Sequence, residues 1–482
     1  MPDSQPQPQQ PRRPPAGEGG VPEAAALVLC GARLADGRTV DVRLSRGRIE
    51  AVGTAGSLTS PGARVDLAGY LLLPAPAEPH AHCDTALTAD LGGPLSYAPE
   101  DIQRRTTEAA LLHLGHGSTA LRTHVRIGGV HGLRSLEAVL QARRALHGLA
   151  DLAAVAVPRV LTGTAGADGL AMLRDAVAAG ATVIGGCPDL DPDPTGHVEA
   201  VLAIAAEHGC AVDLHTDGAD PARLARLAAM SGGLRQGVSI GPCGGLARLP
   251  HEVAARTADQ LAAAGVTVVC LPQGDCGELT EQPPASAQGA PSGPSSQDVP
   301  DVPAVPAAPG SQAPHTAYTA PTTAHTAHTA RGAHMGSQGQ LCAPVRLLRA
   351  AGVPVAAGSG ALRDTANPVG RGDPLEAAFL LASRGELRPA EAYDAVCGRA
   401  RAAMGLPEVR VEAGFPAELL AVRGEGIAAV LSLAYSRIVV HQGRVVARTS
   451  AVREYCDSAV AVALDLPRQL RSNGGGGRDQ GY

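Results

Sequence analysis

The sequence predicts an α/β protein, a (β/α)8 TIM barrel with a small β-sandwich domain built from both ends of the chain. The middle of the 482 residues alternates amphipathic helical stretches with short apolar runs, a pattern typical of parallel βα units. Runs with strand-like alternation stand near each end. A chain of this length can bury one large domain or two ordinary ones, because domains commonly have about 50 to about 250 residues.

The small β-domain is predicted from two groups of strand-like runs that are separated by turns containing glycine. These runs are residues 26–30, 39–44 and 48–52 near one end, and 418–422, 437–441 and 444–447 near the other. Neither group is large enough to form a stable sheet alone. We therefore expect both groups to join in one domain, formed by residues 25–70 and 408–450.

The barrel is predicted to span residues 71–272 and 341–407. Its apolar runs number eight, as a closed barrel requires, and are residues 71–73, 119–124, 152–157, 181–184, 211–215, 238–240, 266–271 and 353–357. The clearest helices are residues 101–114, 132–149 and 196–209. Sites in such barrels lie at the C-terminal ends of the strands, so functional side chains are expected there.

Three segments have a composition that favours disorder. Residues 1–24 and 470–482 are predicted tails, and residues 273–340, rich in Pro, Ala, Ser, Gln and Thr, are a predicted insertion between the seventh and eighth strands. The insertion contains His315, His325, His328 and His334. These histidines could hold a metal weakly, or the repeats around them are low-complexity drift without a function.

Composition excludes several kinds of function. A net charge of −6 gives no basic field for nucleic acid, and 2% aromatic residues leave few platforms on which bases could stack. All 40 basic residues are arginine. The absence of lysine excludes a Schiff base, a pyridoxal anchor, a P-loop and a carboxylated lysine between two metals. A metal site is therefore expected to be mononuclear.

Cysteine usage and hydropathy indicate the compartment. The 10 cysteines run from Cys30 to Cys456 without close pairing, as in proteins of a reducing environment. Residues 1–20 lack the apolar core of a secretory signal, and no run of about 20 apolar residues could span a bilayer. We expect a cytoplasmic protein that binds a small molecule and has no nucleic-acid or membrane partner. Whether the chain forms a homo-oligomer stays open.

The most informative motif is His80-Ala81-His82, which follows an apolar run and stands at a predicted strand end. Side chains at positions i and i+2 of a strand point the same way. Both imidazoles can therefore bind one ion, and imidazole is a common ligand of zinc and iron. The alternative is a pair of unrelated histidines. His124 and His215 lie at or just past other predicted strand ends.

Further motifs lie along the predicted barrel. They are Glu78-Pro-His-Ala-His-Cys-Asp84, Leu121-Arg-Thr-His-Val125, Gly185-Gly-Cys-Pro188, Asp213-Leu-His-Thr-Asp217, Ala343-Pro-Val345, Gly358-Ser359, Arg363-Asp364 and residues 367–376. With these motifs the chain resembles the cytosine deaminase-like branch of the amidohydrolase superfamily. The resemblance runs from residue 25 to about residue 447, apart from the insertion. It implies metal-dependent hydrolysis of a C–N bond in a cyclic amidine or nucleobase-like substrate.

In enzymes of this family one zinc or iron ion, held by three histidines and an aspartate, activates a water molecule. A glutamate and a further histidine transfer protons. Carried over position by position, the resemblance implies that His80, His82 and His215 are the metal ligands.

The same resemblance assigns substrate contacts. It places His124, Arg159 and Asp217 in the substrate pocket, and Arg159 stands where the family has a glutamine. His124 either lines this pocket or bonds to the backbone.

The sequence departs from the family at three catalytic positions. Gly218 replaces the glutamate, Pro242 the catalytic histidine and Gly360 the aspartate ligand. Three histidines and a water are a known zinc arrangement, so one divalent ion, Zn or Fe, is expected to bind weakly or not at all. Removing a positioned acid or base costs about 10² to 10⁴ in rate. The resemblance therefore implies impaired deaminase activity and makes the chain a pseudoenzyme candidate.

Two alternatives stay open at this point. Asp217, Asp364, Cys83 or Cys243 could substitute for a lost group, because each lies close in sequence to a proposed site position. The chain could also be a non-catalytic binding or regulatory descendant of the family, since a fold by itself does not establish an activity.

Overall fold

The computed structural model describes residues 26–59, 62–91, 95–129, 131–274, 342–433 and 435–451. Two eight-stranded sheets organise this part of the chain. The predicted tails and residues 275–340 of the predicted insertion lie outside the described residues. The described chain leaves the seventh barrel strand before residue 275 and returns at residue 342, where the insertion is expected.

The first sheet contains strands from both ends of the chain, as predicted. Its strands are β1 Leu27–Arg33, β2 Thr39–Ser45, β3 Arg48–Thr54, β4 Arg64–Asp66, β5 Tyr70–Pro74, β14 Leu419–Arg423, β15 Arg437–His441 and β16 Arg444–Thr449. They follow the order β16-β15-β14-β5-β1-β2-β3, with β4 beside β1. Leu29, Val42, Leu419 and Val440 share one apolar cluster, so the two ends stabilise each other.

The second sheet is the predicted (β/α)8 barrel. Its parallel strands follow chain order and are β6 Ala77–Ala81, β7 Ala120–Ile127, β8 Asp151–Pro158, β9 Val183–Gly186, β10 Ala211–Thr216, β11 Val238–Pro242, β12 Thr267–Cys270 and β13 Val355–Ala357. A parallel bridge between Ala81 and Gly360 connects the first strand to the segment after the last one. Strand ends that are far apart in sequence thereby meet at one mouth.

One predicted barrel strand was wrong. Residues 71–73 belong to β5 of the first sheet, where Leu72 lies opposite Ala421 of β14. This run is apolar throughout because Leu71 and Leu73 pack against the barrel core while Leu72 faces the core of the first sheet. The first barrel strand is β6, which contains Glu, Pro and His and so lacks the apolar signature of its neighbours.

The helices follow the barrel strands along the chain, except α11, which follows β14 of the first sheet. They are α1 Pro99–Gly115, α2 Arg134–Ala145, α3 Gly163–Ala179, α4 Pro194–His208, α5 Pro221–Ser231, α6 His251–Ala263, α7 Val345–Ala350, α8 Pro374–Ser383, α9 Pro389–Val396, α10 Gly398–Ala403 and α11 Ile427–Leu433. Among the described helices, none has both the length and the apolar character that crossing a membrane requires.

Three of these helices begin with the same dipeptide. Asp193, Asp220 and Asp373 each cap a free backbone N–H of the first turn and precede a proline at the first helical position. The aspartate satisfies N–H groups that have no partner within the helix, and the proline has the φ that a helix needs. These capped N-termini set the direction in which each helix begins at the barrel mouth.

A buried ion pair joins the first sheet to the barrel. The Arg437 guanidinium on β15 donates two hydrogen bonds to the Asp373 carboxylate, at 2.8 and 2.6 Å, and a third to the carbonyl oxygen of His116. Both side chains are almost fully buried. Burial alone would raise the pKa of Asp373, but the hydrogen bonds and charge of Arg437 hold it below its usual value.

Arg437→Met tests this connection. We expect it to lower the free energy of unfolding by about 3 to 5 kcal/mol, since it leaves the Asp373 carboxylate buried without its partner. Urea denaturation measures the change. Arg174→Met, which breaks the exposed pair of Arg174 with Glu207, should lose less than about 1 kcal/mol. Equal losses in the two variants would contradict a special role for the buried pair.

A buried histidine lies close to this ion pair. His113 of α1 is 1% exposed, and burial, with His116 as the next cause, lowers its pKa to about 3. An unfolded histidine titrates near 6.5. As the pH falls below about 6.5, the unfolded chain therefore takes up a proton that the folded chain refuses until about pH 3. The contribution of His113 to stability is lost over that range.

His113→Gln should remove this part of the acid sensitivity. Between pH 7 and pH 5 the wild type should lose about 2 kcal/mol more stability than the variant, because a pKa difference of one unit corresponds to about 1.4 kcal/mol. Urea denaturation at the two pH values measures it. His147→Gln, at an exposed position, should keep the wild-type dependence. A His113→Gln variant with the full wild-type loss would show that His113 is protonated in the folded protein.

Candidate metal centre at the barrel mouth

Four histidines from three strands meet at the C-terminal end of the barrel. The ring centre of His80 lies 4.0 Å from that of His124 and 5.4 Å from those of His82 and His215. The His82 and His215 rings are 6.1 Å apart. All four side chains are buried, with at most 9% exposure. The structure thus brings together the three predicted ligands and the histidine that was predicted to line the pocket.

The nitrogens of this cluster suit a metal ion. One ligand atom each of His80, His82 and His124 lies within 4.8 Å of the others. The Nε2 atom of His82 is buried and has no hydrogen-bond partner among the described residues. A buried polar atom without a partner is costly, and a cation would satisfy it. The donor set therefore fits a divalent ion such as zinc.

The protonation states agree with this reading. Burial, followed by the charge of neighbouring imidazoles, lowers the pKa values of His80 and His82 well below 6.5. The same causes lower the pKa of His215 to about 4. Neutral imidazole is the form that binds a metal. At neutral pH these rings consequently present lone pairs and not positive charges.

Beneath the cluster, Asp213 of β10 touches two residues of β7. Its Oδ2 atom lies 2.8 Å from the Arg122 guanidinium and 3.1 Å from Nε2 of His124. Burial would raise the pKa of Asp213, but Arg122 and then His124 hold it below its usual value. A ligand atom of His124 lies within 4.8 Å of those of His80 and His82, so His124 is a further candidate ligand.

The three positions at which the resemblance implies a lost catalytic residue all lie around this mouth. Gly360 bridges to Ala81, which stands between His80 and His82. Pro242 ends β11 opposite Thr216, in the register that also pairs Gly241 with His215. Gly218 follows β10 by two residues, and a Cβ placed on it would contact Cys243 at 3.4 Å. None of these three residues has a side chain that titrates.

Two of these positions have backbone angles that favour glycine. Gly218 has φ +73° and Gly360 has φ +72°, in the left-handed region that residues with a Cβ rarely adopt. At Gly360 a Cβ would also approach Leu271 to 3.1 Å. A glutamate or an aspartate at these positions would therefore require a local change of the backbone.

The remaining predicted site residues lie farther out. Arg159 follows β8 and is exposed. The Asp217 carboxylate pairs with Arg248, and both side chains are more than one third exposed. Its backbone N–H donates to Asp189. Asp217 thus bonds at the outer rim of the mouth, and its predicted contact with a substrate stays a prediction.

Sequence reasoning gave no role to Glu78, which the structure places next to the histidines. Its carboxylate accepts hydrogen bonds from the backbone and hydroxyl of Ser359, at 2.9 and 2.5 Å, and from the backbone N–H of His80. Burial raises the pKa of Glu78 to about 7. Both oxygens are occupied, so Glu78 connects β6 to the segment after the last strand and supports the histidine motif.

Sequence reasoning also missed Arg126. The strand was predicted to end at His124, but β7 continues to Ile127. Arg126 is two residues beyond His124, on the same strand face, and is partly buried. Burial and then the neighbouring imidazoles lower the pKa of His82, and the charge of Arg126 adds to this effect. Burial raises the pKa of Asp84 to about 6, and the charge of Arg126 opposes that shift. Extending the alternation of Arg122 and His124 by one step could have identified it.

No family model matches the chain. A pterin deaminase of Rhizobium rhizogenes is 26% identical over 259 residues, which cover 48% of this chain and 58% of that protein. An N-isopropylammelide isopropylaminohydrolase structure from Burkholderia multivorans matches with TM-score 0.68 and 24% identity, covering 89% of this chain and 100% of that one. A 5-methylcytosine deaminase structure from Klebsiella pneumoniae, liganded with phosphonocytosine, has TM-score 0.68, 20% identity and the same coverage. The fold resemblance is therefore confirmed.

Removing single histidines distinguishes the possible ligand sets. His82→Ala should weaken zinc binding by at least about tenfold, because it deletes a nitrogen donor from a set of three or four. Chelator competition measures the affinity, and elemental analysis after dialysis measures the content. Comparing His215→Ala with His124→Ala shows which of these rings completes the set.

His147→Ala is the matched control. That histidine is exposed and lies two residues after the C-terminal end of α2. It should leave zinc binding unchanged. A variant that lacks His80, His82 and His215 together but retains the zinc content of the wild type would refute this centre.

Proposed function

Since the chain shares its fold and signature motifs with the deaminases of the amidohydrolase superfamily, we propose that it binds one divalent metal ion and an amino-substituted heterocycle. The ring is a cyclic amidine or resembles a nucleobase. The chain hydrolyses a C–N bond of this ring far more slowly than an ordinary deaminase. The single observation that carries the proposal is the combination of a clustered imidazole set with Gly218, Pro242 and Gly360 around it.

His80, His82 and His215 are the proposed ligands, with His124 next to them as a fourth nitrogen donor. Their neutral, buried rings favour zinc or iron over the hard cations that prefer oxygen ligands. A divalent ion in such a set lowers the pKa of a bound water toward about 7 and so supplies a nucleophile near neutral pH. The loss of the aspartate ligand at Gly360 makes binding weaker than a complete set would give.

The chain supplies residues that position the site but lacks residues that would transfer protons. Asp213 holds the His124 ring, and Glu78 holds the loop of Ser359. By contrast, the positions for protonating the ring nitrogen and the leaving amine carry Gly218 and Pro242. Loss of one such group slows the chemical step by about 10² to 10⁴. Losses within one catalytic unit are not additive, so a residual activity is expected.

The substrate class follows from what the relatives have in common. Their names refer to pterin, 5-methylcytosine and N-isopropylammelide, which are nitrogen heterocycles that carry an exocyclic amino or alkylamino group. Loss of that group leaves a ring carbonyl. Cytosine and pterin are therefore the two rings to test first.

A non-catalytic binding protein is the second candidate. The left-handed backbone at Gly218 and Gly360 favours it, since loops that have adopted glycine geometry no longer accommodate the lost carboxylates. Such a protein would bind the metal and the ring but transfer no protons.

The proposed cellular location is the cytoplasm. The eight described cysteines form no disulfide, which agrees with this proposal.

Ammonia release tests the first candidate. Zinc-loaded and iron-loaded protein should release ammonia from cytosine or pterin at least about 10² times more slowly than deaminases usually do, with kcat well below the common range of about 1 to 10³ s⁻¹. His80→Ala should abolish the residual rate. Turnover at an ordinary deaminase rate would show that the catalytic positions are misassigned. No turnover together with tight ring binding would establish the second candidate.

Restoring the family residues tests the cause of the slow rate. Pro242→His should raise kcat by itself, since Pro242 has no left-handed φ. Gly218→Glu and Gly360→Asp should each raise kcat by less than the full effect of an acid or base group, because each places a Cβ on a backbone conformation that favours glycine. Ammonia release and thermal unfolding of all three variants measure gain and strain. A full gain from Gly218→Glu alone would contradict the backbone argument.

A further inference from the structure

We propose that residues 452–466 form an amphipathic helix and that this helix docks on the surface of the same chain. The docking surface is the exit patch, which consists of Leu111 and Leu112 of α1 and of Leu433 and Tyr435, which precede β15. The structure describes the chain up to residue 451, so the segment starts where the described chain ends.

The sequence of this segment has the period of an amphipathic helix. At about 100° per residue, its polar residues fall on one stripe and its apolar residues on the opposite arc, which only Arg453 interrupts. The polar stripe contains Glu454, Asp457, Ser458 and Asp465. The apolar arc contains Val452, Tyr455, Cys456, Ala459, Val460, Val462, Ala463, Leu464 and Leu466. Pro467 then ends the pattern, as a proline ends a helix.

A helix of this kind needs a surface to cover its apolar arc. Isolated helices of this length are marginal in water, and in proteins most of their stability comes from packing of the apolar face. A helix over residues 452–466 would be about 22 Å long. It can therefore lie across side chains on both sides of the point where the described chain ends.

One side of the exit patch lies beside the end of β16. The Thr449 hydroxyl donates a hydrogen bond of 3.3 Å to the carbonyl oxygen of Gly115, the last residue of α1. Leu111 and Leu112 lie about one helical turn earlier and are 45% and 41% exposed. Neither belongs to the buried stripe of α1. Apolar side chains thus lie at the surface close to the departing chain.

The other side of the patch lies at the last contact of the described chain. The backbone N–H of Ala451 donates to the Ser436 hydroxyl at 3.3 Å. Tyr435 directly precedes this serine and is 48% exposed, and Leu433 at the end of α11 is 44% exposed. Four of the nine exposed large hydrophobic side chains among the described residues therefore lie near the exit.

Such a grouping of exposed apolar side chains is typical of an interaction surface. An amphipathic helix that lays its apolar face on such a surface is a common mode of recognition. Direct attachment also gives residues 452–466 a high effective concentration at the exit patch. This favours the chain's own segment over a second copy of the chain as the occupant.

Cys456 reports on docking, because it belongs to the predicted apolar arc. We would label folded full-length protein with a maleimide and digest it with trypsin, which cuts after Arg453 and Arg468 and so isolates this thiol in its own peptide. Mass spectrometry then gives its labelling rate. Docking should make this rate at least about tenfold slower than in urea-denatured protein, since a buried thiol is inert.

Substitutions on both partners test the contact. Leu111→Glu combined with Leu112→Glu should bring the labelling rate to within about twofold of the denatured rate, because charge on the patch opposes burial against an apolar face. Leu466→Glu in the apolar arc should do the same. Leu91→Glu, at a position 53% exposed between β6 and α1, and Asp465→Asn on the polar stripe should keep the protection. Circular dichroism establishes that each variant is folded.

The remaining outcomes identify other occupants. Protection that does not change on dilution supports docking within one chain, whereas protection that is lost on dilution would assign the patch to a second copy and overturn the proposal. A Cys456 that reacts at the denatured rate in buffer, and is protected only by phosphatidylglycerol vesicles, would assign the segment to a membrane surface. Protection that survives the double substitution on α1 would show that the segment does not dock on this patch.

Discussion

The burial of four imidazoles at one end of the barrel is the constraint on which the rest of the site depends. His80 and His82 can face His215 only because β6 pairs with β7 and the segment after β13 bridges back to Ala81. That closure joins positions about 280 residues apart in the sequence. Burial keeps the rings neutral, and neutral imidazole is the form that can bind a metal. In a partly open barrel the same side chains would be hydrated and would take up protons near the ordinary histidine pKa of about 6.5.

Around the imidazoles, three positions carry no side chain that titrates. Gly218, Pro242 and Gly360 stand at three strand ends that flank the cluster, and the two glycines have backbone angles that residues with a Cβ rarely adopt. Asp213 and Glu78, which hold the cluster from below and from the side, remain buried and hydrogen-bonded or ion-paired. A histidine cluster that could hold a cation is thus present, and the proposed slow chemistry depends on the absence of a proton-transferring side chain at these three positions.

Much of this architecture could be predicted from the sequence. Alternating apolar runs indicated eight barrel strands, and strand ends located the four histidines. The first strand was misplaced because Leu71 to Leu73 are buried on both faces in the other sheet, whereas Glu78 and His80 make the true strand look polar. Contacts between strands, such as that of Asp213 with His124, depend on barrel closure and leave no signal in local sequence. The backbone angles at Gly218 and Gly360 likewise depend on the surrounding fold.

The most direct test of the account is the coordination shell of zinc in the full-length protein, measured by X-ray absorption at the zinc edge and by anomalous diffraction. We expect one ion with three or four imidazole nitrogens and no carboxylate oxygen from the protein. An aspartate or glutamate in that shell, or a zinc ion bound away from His80 and His82, would contradict it.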